Sequence, residues 1–339
     1  MLYKVIFSGR LEFGNQRTYD RVFKMYEHRK ENYYRSEILL NEEEVFDAKS
    51  LALDVPRFIA QSSDKSWRNT INMLQNVAQY AVAGDINAWM LDSGKVLKRA
   101  FVEPDSDKAA VQSYRTGREL LKEDGREDEA IAALNRAIEK FERHAMAYER
   151  RGYINFVLQN YEDALYDYSK SIDINPNSPN PYYGRAYLKM LKKDWASASA
   201  DFDKVTKRSI PHQNIYWKAR RLKSECHIHL EQYKEAAFDL KLFTMRNFDE
   251  GNPNLMWLKK AYFDYGFVLL QQENYVDAIK AFDSALDFAE GKGNVSDAEA
   301  LFYRGLATKK AGKKGFKIDL LSAAKKGSER AARFLAEMA

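Results

Sequence analysis

The chain has 339 residues, of which 45% are hydrophobic and 30% are charged, and its net charge is +5. These values predict a globular protein with room for two domains, and the charge is too small to indicate nucleic acid or a membrane as a partner. The single cysteine, Cys226, excludes an internal disulfide and fits a reducing compartment, so we expect a cytoplasmic protein. No apolar run reaches the roughly eighteen residues of a transmembrane helix, and we expect a strand rather than a signal peptide at the amino terminus.

Residues 1–104 predict a small α+β domain, because segments rich in β-branched and aromatic residues alternate with segments of helical apolar spacing. In chain order, the predicted elements are a strand or a hairpin broken at Gly9 (Leu2–Phe13), a helix from Asn15 to about Tyr33, a strand (Arg35–Leu40), an acidic loop (Glu42–Asp47), a strand (Ser50–Ile59), a helix from Asp64 or Ser66, and a hairpin (Asp85–Leu91 and Val96–Val102). Pro56 indicates that its strand lies at an edge or ends early.

The order β-α-β-β-α-β, followed by one more strand, is that of the ferredoxin-like sandwich. An α/β arrangement with another strand order is the alternative. Pro104–Asp107 combines a helix-stopping proline with helix-capping residues, so we place the boundary of this domain there. Because this linker is short, we expect the two domains to touch.

A different pattern follows the boundary. Its clearest copy is Ala145–Ser178, a stretch of thirty-four residues that predicts two amphipathic helices joined by a turn. Large and small residues hold fixed places in it: Tyr148, Gly152, Tyr161, Ala164, Tyr168 and Pro176. This pattern resembles the tetratricopeptide repeat, a helical hairpin that stacks on its neighbours to form a superhelix.

The small residue of the first helix recurs at Gly117, Gly152, Ala186, Ser224, Gly266 and Gly305. We therefore expect an all-α superhelix of about six hairpins over residues 108–339. Lys317 takes the place of the small residue in the last second helix, which predicts an atypical capping repeat. Insertions between repeats are predicted at Ser209–Ile215, Asn247–Leu255 and Gly291–Ser296.

In this family the first helix of each repeat lines a concave surface, so the resemblance implies a binding groove. Carried onto this sequence, that surface holds Tyr114, Glu149, Tyr153, Tyr183, Tyr187, Lys218, Arg221, Glu225, Phe263 and Phe267. Aromatic rings beside cations predict a peptide or protein segment as the ligand, with a carboxylate that meets the cations. The alternative is that these rings fill a tightly wound superhelix or touch the N-terminal domain. Tyr153 and Tyr187 stand where the chaperone-tail clamp of the family has asparagine, so chaperone binding is not carried over.

Catalytic and metal-binding motifs are not indicated. No phosphate loop or dinucleotide motif occurs, and no Ser/His/Asp or Cys/His arrangement is supported. The close cluster Cys226-His227-x-His229 has no second Cys/His group nearby, so we expect no metal and no cofactor. Between residues 309 and 330, eight lysines and arginines face two acids. This predicts a solvated face of a capping helix, with a docking patch for an acidic partner as the alternative.

Three functions are compatible with these observations. The leading hypothesis is a non-enzymatic interaction scaffold or adaptor that binds a protein or peptide in the concave groove, with possible self-association through the N-terminal domain. The second is a regulatory or sensory protein whose α+β domain binds a small ligand. The third is an enzyme with its site in residues 1–104, which no motif supports.

Overall fold

A computed structural model describes residues 1–289, 293 and 295–338. The chain divides into two compact units, Met1–Arg185 and Ala186–Ala339. The first unit begins with β1 (Tyr3–Glu12), α1 (Gln16–Asn32), α2 (Glu42–Val45), β2 (Phe46–Asp47), β3 (Ala52–Ser62), α3 (Asp64–Ala78), β4 (Ala83–Asp92) and β5 (Lys95–Val102).

These strands form one sheet in the order β2-β3-β1-β4-β5, and each neighbouring pair is antiparallel. Without β5, this is the ferredoxin-like order, because each β-α-β crossover leaves room for one strand between its two strands. The helices cover one face, against which Val5, Phe7 and Leu11 of β1 are fully buried. The predicted α+β fold is confirmed, and the alternative strand order is excluded.

β1 is one continuous strand and is not broken into a hairpin at Gly9. Its register against β3 shifts between Phe7 and Gly9. The residues of β3 at this shift include Pro56, which lies beyond the two residues that β2 pairs with. A proline at a bulge that has no partner strand on its outer side leaves no ladder hydrogen bond unmade. β3 is neither the outermost strand of the sheet nor ended by Pro56, but Pro56 lies beyond the part of β3 that β2 covers.

The strand predicted at Arg35–Leu40 and the loop predicted at Glu42–Asp47 are both wrong. Arg35 and Ser36 have left-handed backbone, with φ of 50° and 61°, which no strand adopts. Hydrogen bonds from side chains hold the rest of the segment in place. For example, the Tyr26 hydroxyl donates to the Leu40 carbonyl at 2.8 Å. The acidic segment forms α2 and β2 instead.

The remaining elements are helices. They are α4 (Ala109–Leu120), α5 (Glu127–Lys140), α6 (Ala145–Val157), α7 (Tyr161–Ile174), α8 (Pro179–Leu191), α9 (Trp195–Arg208), α10 (Asn214–His229), α11 (Tyr233–Thr244), α12 (Leu258–Gln271), α13 (Tyr275–Asp287), α14 (Asp297–Lys310), α15 (Phe316–Lys325) and α16 (Glu329–Ala336). Among the described residues, α4 to α15 pair into six helical hairpins, each with a first and a second helix. Half of the predicted insertion Gly291–Ser296 lies outside the described residues.

Glycines allow the helices to approach closely, as the repeat pattern predicts. The Tyr168 ring of α7 is 3% exposed and lies between Gly152 of α6 and Gly184 of α8. A Cβ at Gly152 would lie 3.1 Å from that ring, and one at Gly184 would overlap it. In the fifth hairpin, a Cβ at Gly266 would lie 2.8 Å from the Phe282 ring.

A common main-chain arrangement closes five of the six turns inside the hairpins. One residue in each turn has positive φ: Gln159, Lys193, Glu231, Glu273 and Gly312. The next amide in the chain donates to the carbonyl five residues back, for example Asn160 N to Asn155 O at 2.8 Å. This is the Schellman arrangement, which satisfies the last carbonyls of the first helix.

The last hairpin is closed by a helix that the sequence did not predict. Gly305 of α14 packs against Leu320 of α15, whereas Lys317 points to solvent. α16 covers the open side of this hairpin, where Leu320 and Ala331 are fully buried. Among the described residues, no helix combines the length and the apolar character that crossing a membrane requires.

Candidate functional site

The ten predicted groove residues lie on the first helices of the first five hairpins. Tyr114 is on α4, Glu149 and Tyr153 are on α6, Tyr183 and Tyr187 are on α8, Lys218, Arg221 and Glu225 are on α10, and Phe263 and Phe267 are on α12. The first four of these belong to the first compact unit, and the others belong to the second.

Tyr114 is buried within the first unit, with 6% of its surface exposed. Its ring lies 4.8 Å from the His144 imidazole, and the Arg118 guanidinium lies 5.7 Å from the ring centre. Arg118 also donates to the carboxylate of Glu103, which directly follows β5. Burial raises the pKa of the Tyr114 hydroxyl to about 12. Tyr114 therefore packs beneath the first repeat instead of lining an open surface.

Glu149 belongs to a cluster of carboxyl groups where α6 packs against β4. Its carboxylate lies 3.3 Å from the Arg150 guanidinium, and burial raises its pKa. Asp85 of β4 is in the same cluster. Burial raises the pKa of Asp85 to about 6, and the carboxylates of Glu103 and Glu149 add to the rise. At the first two repeats, predicted groove residues thus contact the N-terminal sheet, which is the alternative left open by the sequence.

A second charged cluster joins the sheet to the same repeats. Arg10 of β1 is 5% exposed and pairs with Glu12 at 2.6 Å and with Asp54 of β3 at 2.7 Å. Arg143, in the turn before α6, lies 4.0 Å from Glu12. The Asn177 amide donates to Asp54 at 3.5 Å. Burial raises the pKa of Glu12. The first unit therefore contains the sheet and the first repeats as one packed body.

The predicted tyrosines are more accessible. Tyr153 is 48% exposed and Tyr187 is 37% exposed, whereas Tyr183 is partly buried. Tyr183 and Tyr187 are one turn apart on α8, so they share a face of that helix. These rings have the exposure that a ligand contact requires.

In the second unit, Arg221 is 8% exposed and its guanidinium lies over an aromatic ring. Its guanidinium carbon lies 3.7 Å from the centre of the Trp257 ring, and one nitrogen lies 3.8 Å from the Glu225 carboxylate. Lys218, one turn earlier on α10, is exposed. Stacking on tryptophan fixes the guanidinium plane, so its orientation is set before any ligand arrives.

α12 contributes an opposite pair of charges to this wall. Lys260 donates to both carboxylate oxygens of Asp264, at 2.5 and 2.6 Å. Burial raises the pKa of Asp264, and Glu225 of α10 raises it further while Arg221 lowers it. Asp264 itself is 8% exposed, so Lys260 neutralises its charge within the protein. We call Lys218, Arg221, Glu225, Lys260, Asp264 and Trp257 the charged wall.

The two predicted phenylalanines pack between the fifth and sixth hairpins. Phe263 is 8% exposed, with its ring 5.8 Å from Phe282 and 5.6 Å from Tyr303. Phe267 is partly buried and lies 5.6 Å from Tyr303. Both rings therefore take part in the packing between these hairpins.

Sequence reasoning missed Trp257 and Asp264. Trp257 ends a short 3-10 helix, Leu255–Trp257, next to a predicted insertion between repeats. The sequence signal that could have identified Trp257 is a large aromatic residue beside an insertion. A structural ion pair was also missed: Arg151 donates to the buried Asp167 at 2.6 Å, and Lys223 lies 3.1 Å from the buried Asp239. The spacing of sixteen residues is the same in both, so the pair follows the repeat.

Other candidate sites offer little chemistry. The described residues hold no group of His, Cys, Asp and Glu that fits a metal ion. Cys226 is fully buried, and burial raises the pKa of its thiol to about 12. A surface depression at α1 is lined by charged and amide side chains: Gln16, Arg17, Asp20, Arg21 and Lys24. Self-association through the N-terminal domain stays a prediction, and the outer strand β5, with Leu97 and Phe101 about half exposed, is the place to test it.

Comparison with known proteins agrees with the helical pattern. The family profile described as Tetratricopeptide repeat matches residues 114–179. The crystal structure of YrrB, a TPR protein with an unusual peptide-binding site, aligns with a TM-score of 0.51 and 19% identity over 60% of this chain and 98% of that one. Residues 114–179 therefore match the tetratricopeptide repeat, and the helical part of the chain has the fold of a tetratricopeptide-repeat array.

Two further relatives match more weakly. The Protein SGT1 homolog of Bos taurus is 33% identical over 73 residues, which is 22% of this chain and 22% of that protein. The chain therefore spans about a fifth of that relative. The structure of PilF from Pseudomonas aeruginosa aligns over 68% of this chain and 98% of its own, with 14% identity and a TM-score of 0.48. The repeat fold supports a role as a protein–protein interaction scaffold.

Proposed function

We propose that this tetratricopeptide-repeat protein is a non-enzymatic, cytoplasmic adaptor that binds an extended protein or peptide segment on the first helices of its repeats. The observation that carries the proposal is the charged wall of α10 and α12, with Arg221 stacked on Trp257 at 3.7 Å. A fixed guanidinium loses little conformational entropy when it binds, so it favours an interface.

The signs of the charges define the ligand. Lys218 of α10 is exposed and suits a carboxylate of the ligand, and Arg221 one turn later is 8% exposed and adds positive charge beside it. Glu225 follows on the same helix, is partly exposed and suits a basic or amide group of the ligand, whereas Asp264 is 8% exposed and is already paired with Lys260. An extended segment with an acidic residue followed by a basic one matches this order. Tyr187, which belongs to the same unit and is 37% exposed, adds aromatic contact area for a ligand of this class.

The test uses peptides selected from a random library against the full chain, with binding measured by fluorescence anisotropy. Truncating an interfacial anchor often costs about 2 kcal/mol, so Arg221→Ala should weaken binding at least about tenfold. Arg221→Lys should recover only part of the loss, because lysine keeps the charge but not the planar fork. Trp257→Ala should also weaken binding, since it frees the guanidinium.

A matched control is available in the same unit. Arg246 also lies over a tryptophan, with its guanidinium 5.8 Å from the Trp217 ring, but it follows the second helix α11. Arg246→Ala should leave affinity unchanged. Equal losses from Arg221→Ala and Arg246→Ala, with unchanged melting of both variants, would mean that peptides bind by general charge and that the wall is not the site.

A further inference from the structure

The positive charge of the chain is concentrated at its carboxyl end. Residues 309–339 contain nine lysines and arginines and three acids, a net charge of +6, whereas the whole chain carries +5. The preceding 308 residues are therefore nearly neutral, with a net charge of −1. Seven of the nine cations are lysines between positions 309 and 326, and that segment contains no arginine.

The structure places large aliphatic side chains among these lysines. On α15, Ile318 is 68% exposed and Leu321 is 59% exposed. Lys317 and Lys325 are exposed as well and share a stripe of the helix with Leu321, because they are four residues before and after it. The opposite side of α15 is anchored in the last hairpin through the fully buried Leu320 and Ala323.

Within the part of the chain that the structure describes, most of these lysines make no ion pair. Lys326 lies 3.4 Å from Asp297, and Lys309 contacts the ring of Phe334 at 4.6 Å. By contrast, the exposed lysines 310, 313, 314, 317 and 325 make no ion pair among the described residues. The one acid on α15, Asp319, is bound by Arg304 at 2.5 Å. The exposed face is thus basic and apolar together. We call Lys310, Lys313, Lys314, Lys317, Ile318, Leu321 and Lys325 the terminal patch.

We propose that the terminal patch binds the surface of a bilayer that contains anionic phospholipid. The lysines are attracted to the negative surface potential, and Ile318 and Leu321 enter the interfacial region as the apolar side of an amphipathic helix does. This inference goes beyond peptide binding by the charged wall and replaces the expectation that no membrane takes part.

The chemistry of the patch favours a bilayer over other anionic partners. Lysine is a compact charge on a flexible stem and suits a diffuse negative surface, whereas oriented recognition of carboxylate or phosphate favours arginine. The patch contains no Trp, Tyr or Arg, the residues that dominate protein–protein anchors. It also contains no aromatic ring on which a nucleic-acid base could stack. The two exposed aliphatic side chains, Ile318 and Leu321, suit contact with the acyl chains of the lipid.

The test is co-sedimentation of the full chain with phosphatidylcholine vesicles that contain about 30% phosphatidylserine, compared with pure phosphatidylcholine. Each lysine near such a surface contributes about fivefold in partitioning. Changing the four lysines 310, 313, 314 and 317 to glutamine should therefore lower partitioning at least about a hundredfold. Ile318→Ser with Leu321→Ser should weaken binding without any change in charge. A control with four exposed lysines elsewhere changed to glutamine (Lys140, Lys204, Lys234 and Lys241) has the same net charge and should bind as the wild type.

Binding to the anionic vesicles alone, lost in the patch variants and kept in the control, supports the proposal. Equal loss in the control would show that net charge is responsible and would overturn it. Absence of vesicle binding, together with capture of a poly-glutamate peptide or of duplex DNA that the lysine variant loses, would overturn it in favour of an acidic protein or a nucleic acid. Peptide binding by the charged wall is measured separately, so the two proposals fail independently.

Discussion

Replacing Gly184 with alanine tests how closely the repeats pack. The Tyr168 ring lies between Gly152 and Gly184, and it is 3% exposed. A methyl group at Gly184 would overlap the ring, whereas one at Gly152 would lie 3.1 Å from its nearest ring atom. The ring fills a buried position, so we expect it not to move away from a clash without loss of packing.

The change in the free energy of unfolding caused by Gly184→Ala is the sum of two effects of opposite sign. Overpacking a buried crossing costs about 1–3 kcal/mol, and replacing a helical glycine by alanine stabilises the helix by up to about 1 kcal/mol. Gly184→Ala should therefore lower the free energy of unfolding by about 1–2 kcal/mol. For Gly152→Ala the ring must shift by only a few tenths of an ångström, so the two effects should nearly cancel.

Urea unfolding followed by circular dichroism measures the difference, and Tyr168→Leu provides the decisive background. The leucine of Tyr168→Leu lacks the ring atoms that a Cβ at Gly184 would meet. Adding Gly184→Ala to this background should therefore be neutral or stabilising. If Gly184→Ala costs the same in both backgrounds, the ring does not set the helix separation and the reasoning is refuted.

Three further outcomes are expected. Gly152→Leu and Ala198→Leu should each lower stability by about 1–3 kcal/mol in thermal melts, and unchanged melting would contradict the repeat register. The pKa of Asp85 is about 6 in the folded state against 3.8 ordinarily, so its protonated form stabilises the fold below pH 3.8 and this contribution is lost as the pH rises through about 6. Asp85→Asn should therefore be more stable than the wild type at neutral pH, and urea midpoints whose difference does not change with pH would contradict this. A fragment of residues 1–185 should resist urea better than residues 1–104, because the shorter fragment exposes Glu12 and its partners; equal midpoints would show that the sheet is independent of the repeats.

Local pattern was sufficient to predict most of the fold. The strands follow from β-branched and aromatic runs, and the repeats follow from small residues at fixed spacing. The segment Arg35–Leu40 failed because its conformation is set at a distance, through hydrogen bonds such as that from the Tyr26 hydroxyl to Leu40. A short stretch of sequence contains only one of the two residues that form such a hydrogen bond.

The sequence predicted on which helices the residues of the candidate site lie, but it did not predict how far each side chain is buried. The repeat pattern correctly assigns Arg221 and Glu225 to a first helix, since helical phase is a local property. Whether a residue on that face meets solvent depends on what packs against it, and Tyr114 is covered because a sheet formed by other residues lies nearby. Trp257 was missed because insertions follow no repeat position.

The left-handed residues in the hairpin turns have a consequence for how the array tolerates change. Gln159, Lys193, Glu231 and Glu273 each carry a β-carbon where the backbone favours glycine, which costs on the order of 1 kcal/mol apiece. Main-chain hydrogen bonds close these turns, so the identity of the side chain matters little to their geometry. Changing all four to glycine should therefore remove this backbone cost and leave the hydrogen bonds that close the turns in place.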